Sequence, residues 1–389
     1  MKYFITGGGT GGHIYPALSI ADAIIKKDPE CFILFVGTER KADRQILKEK
    51  VIEGKLDVTF IRSSGFPRGM HPVKMLNFLW NISLGILCCF GLLGKYKPDV
   101  IVGTGGFGSF PLFFANLFFR KKTFIHEQNV LPGLANRVLG KLASKIGVSF
   151  RETLKFFPAD KSVFTGYPLR WKSGDSDKVE AKRKLSFSPD KNIIFFFGGS
   201  LGARSINNAL VEALPALLKE ENIGIIHGAG KNVSSDYNAF EDTLTGLKKS
   251  GIDGSIPGKY LLQVYFNNIN EVYAASDIVV ARSGAGTVVE LAAMGIPSIL
   301  IPKSLIPGNH QYYNAKALAD SGGAVILKED VITVNNKKQE CVDPEKLIQI
   351  IKDLIHNTQK LERMKESAGK IYIPDAVEKI YDEIAGLIK

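Results

Sequence analysis

The sequence predicts an α/β protein made of two Rossmann-like domains in tandem, and three observations carry that prediction. Short continuous apolar runs, typical of strands buried on both faces, alternate with stretches of helical period. The alternation restarts near residue 192 with the order that opens the chain: strand, glycine turn, amphipathic helix. The 389 residues suffice for two separate cores, and 45% hydrophobic with 23% charged residues is a globular composition.

In the first half, "YFIT" (3–6) reads as a strand. It leads through a glycine turn into a helix with Ile14, Ala17, Leu18, Ala21, Ile24 and Ile25 on one face. Further strands are expected at "CFILFV" (31–36), "DVIVG" (99–103), "TFIH" (123–126) and "KIGVS" (145–149). The stretch "GYPLRWKSGDSDK" (166–178), rich in Gly, Pro, Ser and charge, reads as a linker, so the first domain is placed at 1–165 and the second from 166. Beyond "NIIFFF" (192–197), strands are expected at "IGIIH", "YLLQV", "DIVVA", "PSILI" and "GAVIL". Parallel sheets bind ligands at the carboxyl ends of their strands, so both opening glycine loops are expected to face a cleft between the domains.

Residues 75–93, "MLNFLWNISLGILCCFGLL", carry no charge and are long enough to span a membrane. A span would separate strands of one sheet, so the default expectation is a buried core helix. The other reading is a helix whose outer side dips into a lipid surface. Lys74, Lys95 and Lys97 flank it, and "PLFFANLFFRKK" (111–122) repeats the pairing of aromatic with basic residues.

The charge supports an anionic partner. Of the net +11, residues 1–165 hold 23 Lys+Arg against 12 Asp+Glu, and the remainder holds 27 against 27. The entire excess therefore lies in the first half, pointing to nucleic acid, a phospholipid surface or a phosphorylated ligand. No nucleic-acid motif accompanies it. Four scattered cysteines without C-x-x-C spacing suit a reducing cytoplasm, and the opening residues lack the basic-then-apolar pattern of a leader.

Three glycine turns follow expected strands: "GGGTGGH" (7–13), "GTGGFGSFP" (103–111) and "GGSLGAR" (198–204). A helix starting at such a turn offers unpaired N–H groups and a partial positive charge, which suits a phosphate. Gly7, Gly9 and Gly12 match the G-x-G-x-x-G spacing of dinucleotide-binding folds, and Glu39 lies where an acidic residue would hold an adenine ribose. His13 argues against that cofactor: in the first helical turn it would crowd a pyrophosphate but could meet a hydroxyl nucleophile. A second cluster, "ARSGAGTVVELAAMGIPSILIP" (281–302) and "GNHQYYNAKAL" (308–318), places Glu290 on the second turn of a helix and Gln311 near the start of another.

These motifs, with "HEQN" (126–129) and "GYPLR" (166–170), occur in an order that resembles the MurG family. Its members are bacterial enzymes that move N-acetylglucosamine (GlcNAc) from its UDP ester to a lipid-linked muramoyl-pentapeptide. The resemblance runs from residue 7 to 315. It implies the GT-B fold: two Rossmann-like domains with parallel sheets facing a central cleft. It implies a membrane-facing acceptor domain (1–165), a UDP-sugar domain (166–365) and a C-terminal helix (366–389) packing back on the first domain.

Carried over, the donor contacts are Thr10, Gly11, Gly12, Asn129, Arg170, Ser200, Phe266 at the uracil, Ala285, Gly286, Thr287, Val288, Val289, Glu290 at the ribose, and Gln311. The acceptor diphosphate is expected at Gly9, Thr104, Gly105 and Gly106. His13 is the expected base for the sugar C4 hydroxyl, with Glu127 as rival or helper. The implied reaction is one inverting displacement that makes lipid II on the cytoplasmic face of the inner membrane, without cofactor or metal. The D-x-D triplet Asp175–Asp177 lies in the linker and the six histidines show no ligand spacing. Phe107, Gly108, Phe110, Tyr167 and Asn309 depart from the family's usual residues. A glycolipid or secondary-metabolite transferase of the same fold is the nearest alternative.

Overall fold

A computed structural model describes residues 1–9, 11–52, 54–67, 72–169, 177–334 and 337–388. The chain divides into two units, Met1–Trp171 with Ile373–Lys389, and Lys172–Tyr372.

The first unit is one parallel sheet of seven strands: β1 (Lys2–Thr6), β2 (Phe32–Thr38), β3 (Leu56–Ile61), β4 (Val100–Gly103), β5 (Lys122–Glu127), β6 (Lys145–Val148) and β7 (Ser162–Phe164). Their order is β3-β2-β1-β4-β5-β6-β7, so the chain reverses direction across the sheet between β1 and β4. Ile5 sits between Phe35 and Val102 in register. Alternate residues serve opposite faces, as the pleat requires. Ile5, Phe35 and Val102 join one core with Ile14 and Leu18. Phe4, Leu34 and Ile101 join the other with Leu112 and Leu139. The helices are α1 (Gly11–Lys27), α2 (Lys41–Lys48), α3 (Pro72–Tyr96), α4 (Phe110–Phe119) and α5 (Leu134–Leu142).

The sequence reading missed β3 and β7. β3 is an edge strand with Asp57 exposed, and β7 has three half-buried residues, so neither presents a continuous apolar run.

The expectation that 75–93 is a buried core helix is corrected. Within α3 only Ile82, Gly85, Cys89 and Leu93 are buried, a single stripe. Leu76, Trp80 and Leu87 are 67%, 63% and 66% exposed. α3 is long and apolar enough to cross a membrane by length and composition. It is nevertheless the crossover between β3 and β4, so both ends return to one sheet.

The second unit repeats the plan. Its parallel strands are β8 (Asn192–Phe197), β9 (Ile223–Gly228), β12 (Tyr260–Gln263), β13 (Ile278–Ala281), β14 (Ser298–Leu300) and β15 (Ala324–Ile326), ordered β12-β9-β8-β13-β14-β15. Two antiparallel hairpins are added, β10 (Val233–Ser234) with β11 (Tyr237–Asn238) and β16 (Asp330–Val334) with β17 (Lys337–Cys341). All six strands expected in this half are present; the polar "KKQEC" of β17 gave no signal. The helices are α6 (Lys178–Lys184), α7 (Arg204–Leu217), α8 (Ala239–Lys249), α9 (Ile269–Ala275), α10 (Ala285–Ala293), α11 (His310–Asp320), α12 (Pro344–Ile355) and α13 (Thr358–Ala368). Leu210 and Leu214 of α7 share a core with Ile351 and Leu354 of α12.

The last helix, α14 (Ala376–Ala385), belongs to the first unit. Ile380 and Ile384 are buried beside Ile14 and Leu18, and Glu383 pairs with Lys145 at 3.2 Å. Truncating a fully buried isoleucine removes transfer energy and leaves a cavity. Ile380→Ala is therefore expected to cost about 2–5 kcal/mol, read as a lower urea midpoint with an unchanged slope.

Candidate active site

In the first unit the loops after β1, β4 and β5 meet at the carboxyl ends of the strands. The first two touch backbone to backbone. Gly106 has φ +75°, and a Cβ there would strike the Gly8 carbonyl oxygen, so only glycine fits. The Gly9 N–H donates to the buried Asp43 carboxylate at 3.1 Å, and Thr38 Oγ1 donates to the same group at 2.5 Å. Phe107, one of the departures from the family pattern, lies against Gly9 and beneath the Arg40 guanidinium, 4.6 Å from the ring centre.

His13 is half-buried in the first turn of α1. Its Nδ1 lies 2.9 Å from the Thr104 carbonyl oxygen and 2.9 Å from Gln128 Oε1. Thr104 Oγ1 donates to the His13 carbonyl at 2.7 Å. Both partners of Nδ1 are acceptors, so Nδ1 carries a proton, and in the neutral form of the ring the lone pair is on Nε2. Nε2 has no hydrogen-bond partner among the described residues.

Glu127, at the end of β5, is buried and accepts four hydrogen bonds. Asn129 N and Nδ2 bind Oε1 at 2.9 and 3.1 Å. Gly133 N and Asn136 Nδ2 bind Oε2 at 3.2 and 2.9 Å. The four donors tie the β5–α5 loop and the first turn of α5 to the carboxylate. Beside it His126 is fully buried, with Nε2 donating to the Gly166 carbonyl at 2.9 Å. Burial pushes its imidazole down to about 4.

The diphosphate-loop residues divide by what they already bind. Thr104 spends its hydroxyl and carbonyl on His13, and Gly9 spends its N–H on Asp43. The Gly105 and Gly106 amides donate to no described residue. Gly11 and Gly12 open α1, where helix geometry leaves N–H groups unpaired. Thr10 and Arg170 lie outside the described residues.

In the second unit the loop after β8 is pinned to the loop after β9. Lys231 N donates to the Ser200 carbonyl at 3.0 Å, and a Cβ on Gly202 would strike the Ala229 carbonyl. The Ser200 side chain is exposed. Phe266 is 7% exposed and stands edge-on to Phe195, with ring centres 5.7 Å apart. Ala285, Gly286 and Thr287 form the first turn of α10, whereas Val288 and Val289 point into the interior. Any ligand contact by those two valines would be through backbone.

Glu290 is half-buried and accepts from Tyr273 OH at 3.0 Å. Burial raises its carboxyl above the usual range, and the tyrosine bond opposes part of that rise. Gln311 Oε1 accepts from Lys303 N at 2.9 Å, and the Gln311 carbonyl accepts from Ser283 Oγ at 2.8 Å, joining the loops after β13 and β14. Asn309 has φ +48°, a left-handed position that asparagine tolerates, which accounts for its presence there.

Sequence reasoning missed the residues that brace these loops. Asp43, Gln128 and Asn136 do so in the first unit. In the second, the buried Glu329 pairs with Arg282 at 2.7 Å and accepts from Ser205 Oγ at 2.5 Å and Ser304 N at 2.9 Å. A lone polar residue in a loop shows its partner only after folding; for Gln128 the one available signal was its place inside "HEQN".

The glycosyltransferase family 28 N-terminal domain matches residues 3–148, and the corresponding C-terminal domain matches 193–380. A relative from Desulforamulus reducens is 37% identical over 98% of this chain and 97% of its own. One from Thermoanaerobacter sp. strain X514 is 37% identical over the full length of both. Both are named UDP-N-acetylglucosamine–N-acetylmuramyl-(pentapeptide) pyrophosphoryl-undecaprenol N-acetylglucosamine transferase. Among solved structures, Acinetobacter baumannii MurG superposes with TM-score 0.72 at 24% identity, covering 99% of this chain and 100% of that one. The Neisseria meningitidis UDP-GlcNAc 2-epimerase, solved with UDP-GlcNAc, gives 0.65 at 13% identity, covering 99% and 100%. These superpositions establish the two-domain fold.

The buried histidines set a pH dependence. Burial lowers His126 to about 4 and His227, in the second unit, to about 3, against an ordinary 6.5. Between those values the unfolded chain binds protons that the folded chain refuses, so stability falls as pH drops from 6.5. His126 alone is expected to remove about 3 kcal/mol by pH 4. Urea unfolding at stepped pH with NMR titration of both rings tests this; either ring titrating near 6.5 would refute it.

Proposed function

Because the chain belongs to the MurG family within glycosyltransferase family 28, we propose that it transfers GlcNAc from UDP-GlcNAc to the C4 hydroxyl of undecaprenyl-diphosphate-linked N-acetylmuramoyl-pentapeptide. The observation that carries the chemistry is His13, whose Nδ1 is committed to two acceptors and whose Nε2 keeps a lone pair. In the proposed step Nε2 takes the proton of the acceptor hydroxyl. The oxygen forms a bond to the anomeric carbon as the bond from that carbon to the UDP oxygen breaks, and the configuration inverts. UDP departs with the electron pair, and amides at the glycine loop after β8 stabilise its charge.

Glu127 acts through the loop it holds, with Asn129 the side chain it presents to the donor. In the second unit Glu290 accepts from the ribose hydroxyls, Phe266 meets the uracil, and Ser200, Gln311 and the first turn of α10 are further donor contacts; in the first unit the other proposed donor contacts are Thr10, Gly11, Gly12 and Arg170. The Gly105 and Gly106 amides serve the acceptor diphosphate.

The acceptor's lipid tail requires a membrane, and we assign α3 and α4 as the peripheral contact on its cytoplasmic face. Leu76, Leu79, Trp80 and Leu87 of α3 and Leu117 and Phe118 of α4 are exposed. The helices pack through Phe90 and Phe118, with ring centres 5.1 Å apart. Lys74, Arg120, Lys121 and Lys122 supply the basic rim.

Transfer of labelled GlcNAc to a lipid-linked muramoyl-pentapeptide tests the activity. His13→Ala is expected to lower kcat about 100- to 10,000-fold with binding of UDP-GlcNAc retained. Stabilisation by NAD with no response to UDP-GlcNAc would refute the assignment. Co-sedimentation with anionic vesicles is expected to weaken at least about tenfold when Lys74, Arg120, Lys121 and Lys122 are neutralised together. Unchanged partitioning would remove the basic rim from the account.

A further inference from the structure

His126 has no role in the step above, yet it is fully buried and both its ring nitrogens are occupied. The Gly166 carbonyl can only accept, so His126 Nε2 carries the ring's proton. Burial keeps this ring neutral, which leaves a lone pair on Nδ1. Gln128 Nε2 lies 3.2 Å from that lone pair and 2.8 Å from the His126 carbonyl, both acceptors. The amide is thereby held with its NH2 toward His126, and its Oε1 lies 2.9 Å from His13 Nδ1. Turned the other way, the NH2 would face Nδ1, break the chain to His126 and favour the tautomer with the proton on Nε2.

We propose that Gln128 is a positioning residue for the base: it carries the fixed tautomer of His126 across to His13, keeping the proton on Nδ1 and the lone pair on Nε2. The proposal rests on the reading of His13 as the base, and it adds a residue outside the contacts named for substrate. The Thr104 carbonyl favours the same tautomer, so Gln128 strengthens and orients what Thr104 begins. The ionisable groups on neighbouring elements are Asp43 after β2 and His126 and Glu127 on β5. None makes a hydrogen bond or ion pair to the His13 ring among the described residues.

The ligand-free full chain, labelled with 15N, gives a test that needs no activity. His13 is expected to show a protonated Nδ1 and a bare Nε2; a protonated Nε2 in the neutral ring would overturn the proposal. Gln128→Met keeps the bulk but neither accepts from His13 nor donates to His126. It is expected to mix the two tautomers and lower kcat about tenfold with the KM for UDP-GlcNAc unchanged. Wild-type kcat in this variant would overturn the proposal. If the wild-type tautomer is as expected and Gln128→Met disturbs it, but the wild type transfers no sugar, the positioning stands and the transferase reading falls.

Discussion

Thr104 and His13 are bound to each other twice, and most of the first unit's functional geometry follows from that reciprocal pair. The threonine hydroxyl donates to the histidine carbonyl at 2.7 Å, and the imidazole returns a bond to the threonine carbonyl at 2.9 Å. One exchange fixes the start of α1 against the end of β4, next to the point where the strand order reverses. Two glycine loops can then meet backbone to backbone at Gly8 and Gly106, and the imidazole has one orientation. Losing the hydroxyl bond would release the helix start, and losing the imidazole bond would leave the ring on Gln128 alone.

A similar economy organises the other loops. Glu127 gathers three donors from its own loop and one from α5, Asp43 holds Gly9, and Glu329 ties Arg282, Ser205 and Ser304 together. A buried carboxylate is costly unless its lone pairs are satisfied, so each ends up surrounded by donors and makes a loop rigid. Rigid loops suit a site whose task is to orient a hydroxyl, a sugar and a leaving group. Most of the site residues named from sequence lie at strand ends or helix starts, whereas the residues that brace them are scattered.

The exposed stripe of α3 follows from topology. A crossover helix of 25 residues is longer than the four-residue strand it serves, so only part of it packs on the sheet. Four residues at helical spacing are buried, Ile86, Phe90, Leu92 and Tyr96 pack half-buried against the core, and Leu76, Leu79, Trp80 and Leu87 are left outside. Such a patch is an aggregation liability for a protein that stays in water, and an asset for one whose acceptor is anchored in lipid.

The two α/β repeats, nearly all buried strands, the three glycine loops and the placing of His13 and Glu290 were legible in the sequence, because periodicity and turn chemistry are local. It could not find the edge strands β3 and β7, which lack a continuous apolar run. It left open whether residues 75–93 were core or surface, because composition is the same in both cases and burial depends on what packs alongside. It also could not assign Gln128, Asp43 or Glu329, whose partners are distant in the chain. Folding brings β1, β4 and β5 side by side, and that contact sets the tautomer of His13, since a ring nitrogen takes its role from the atoms it faces.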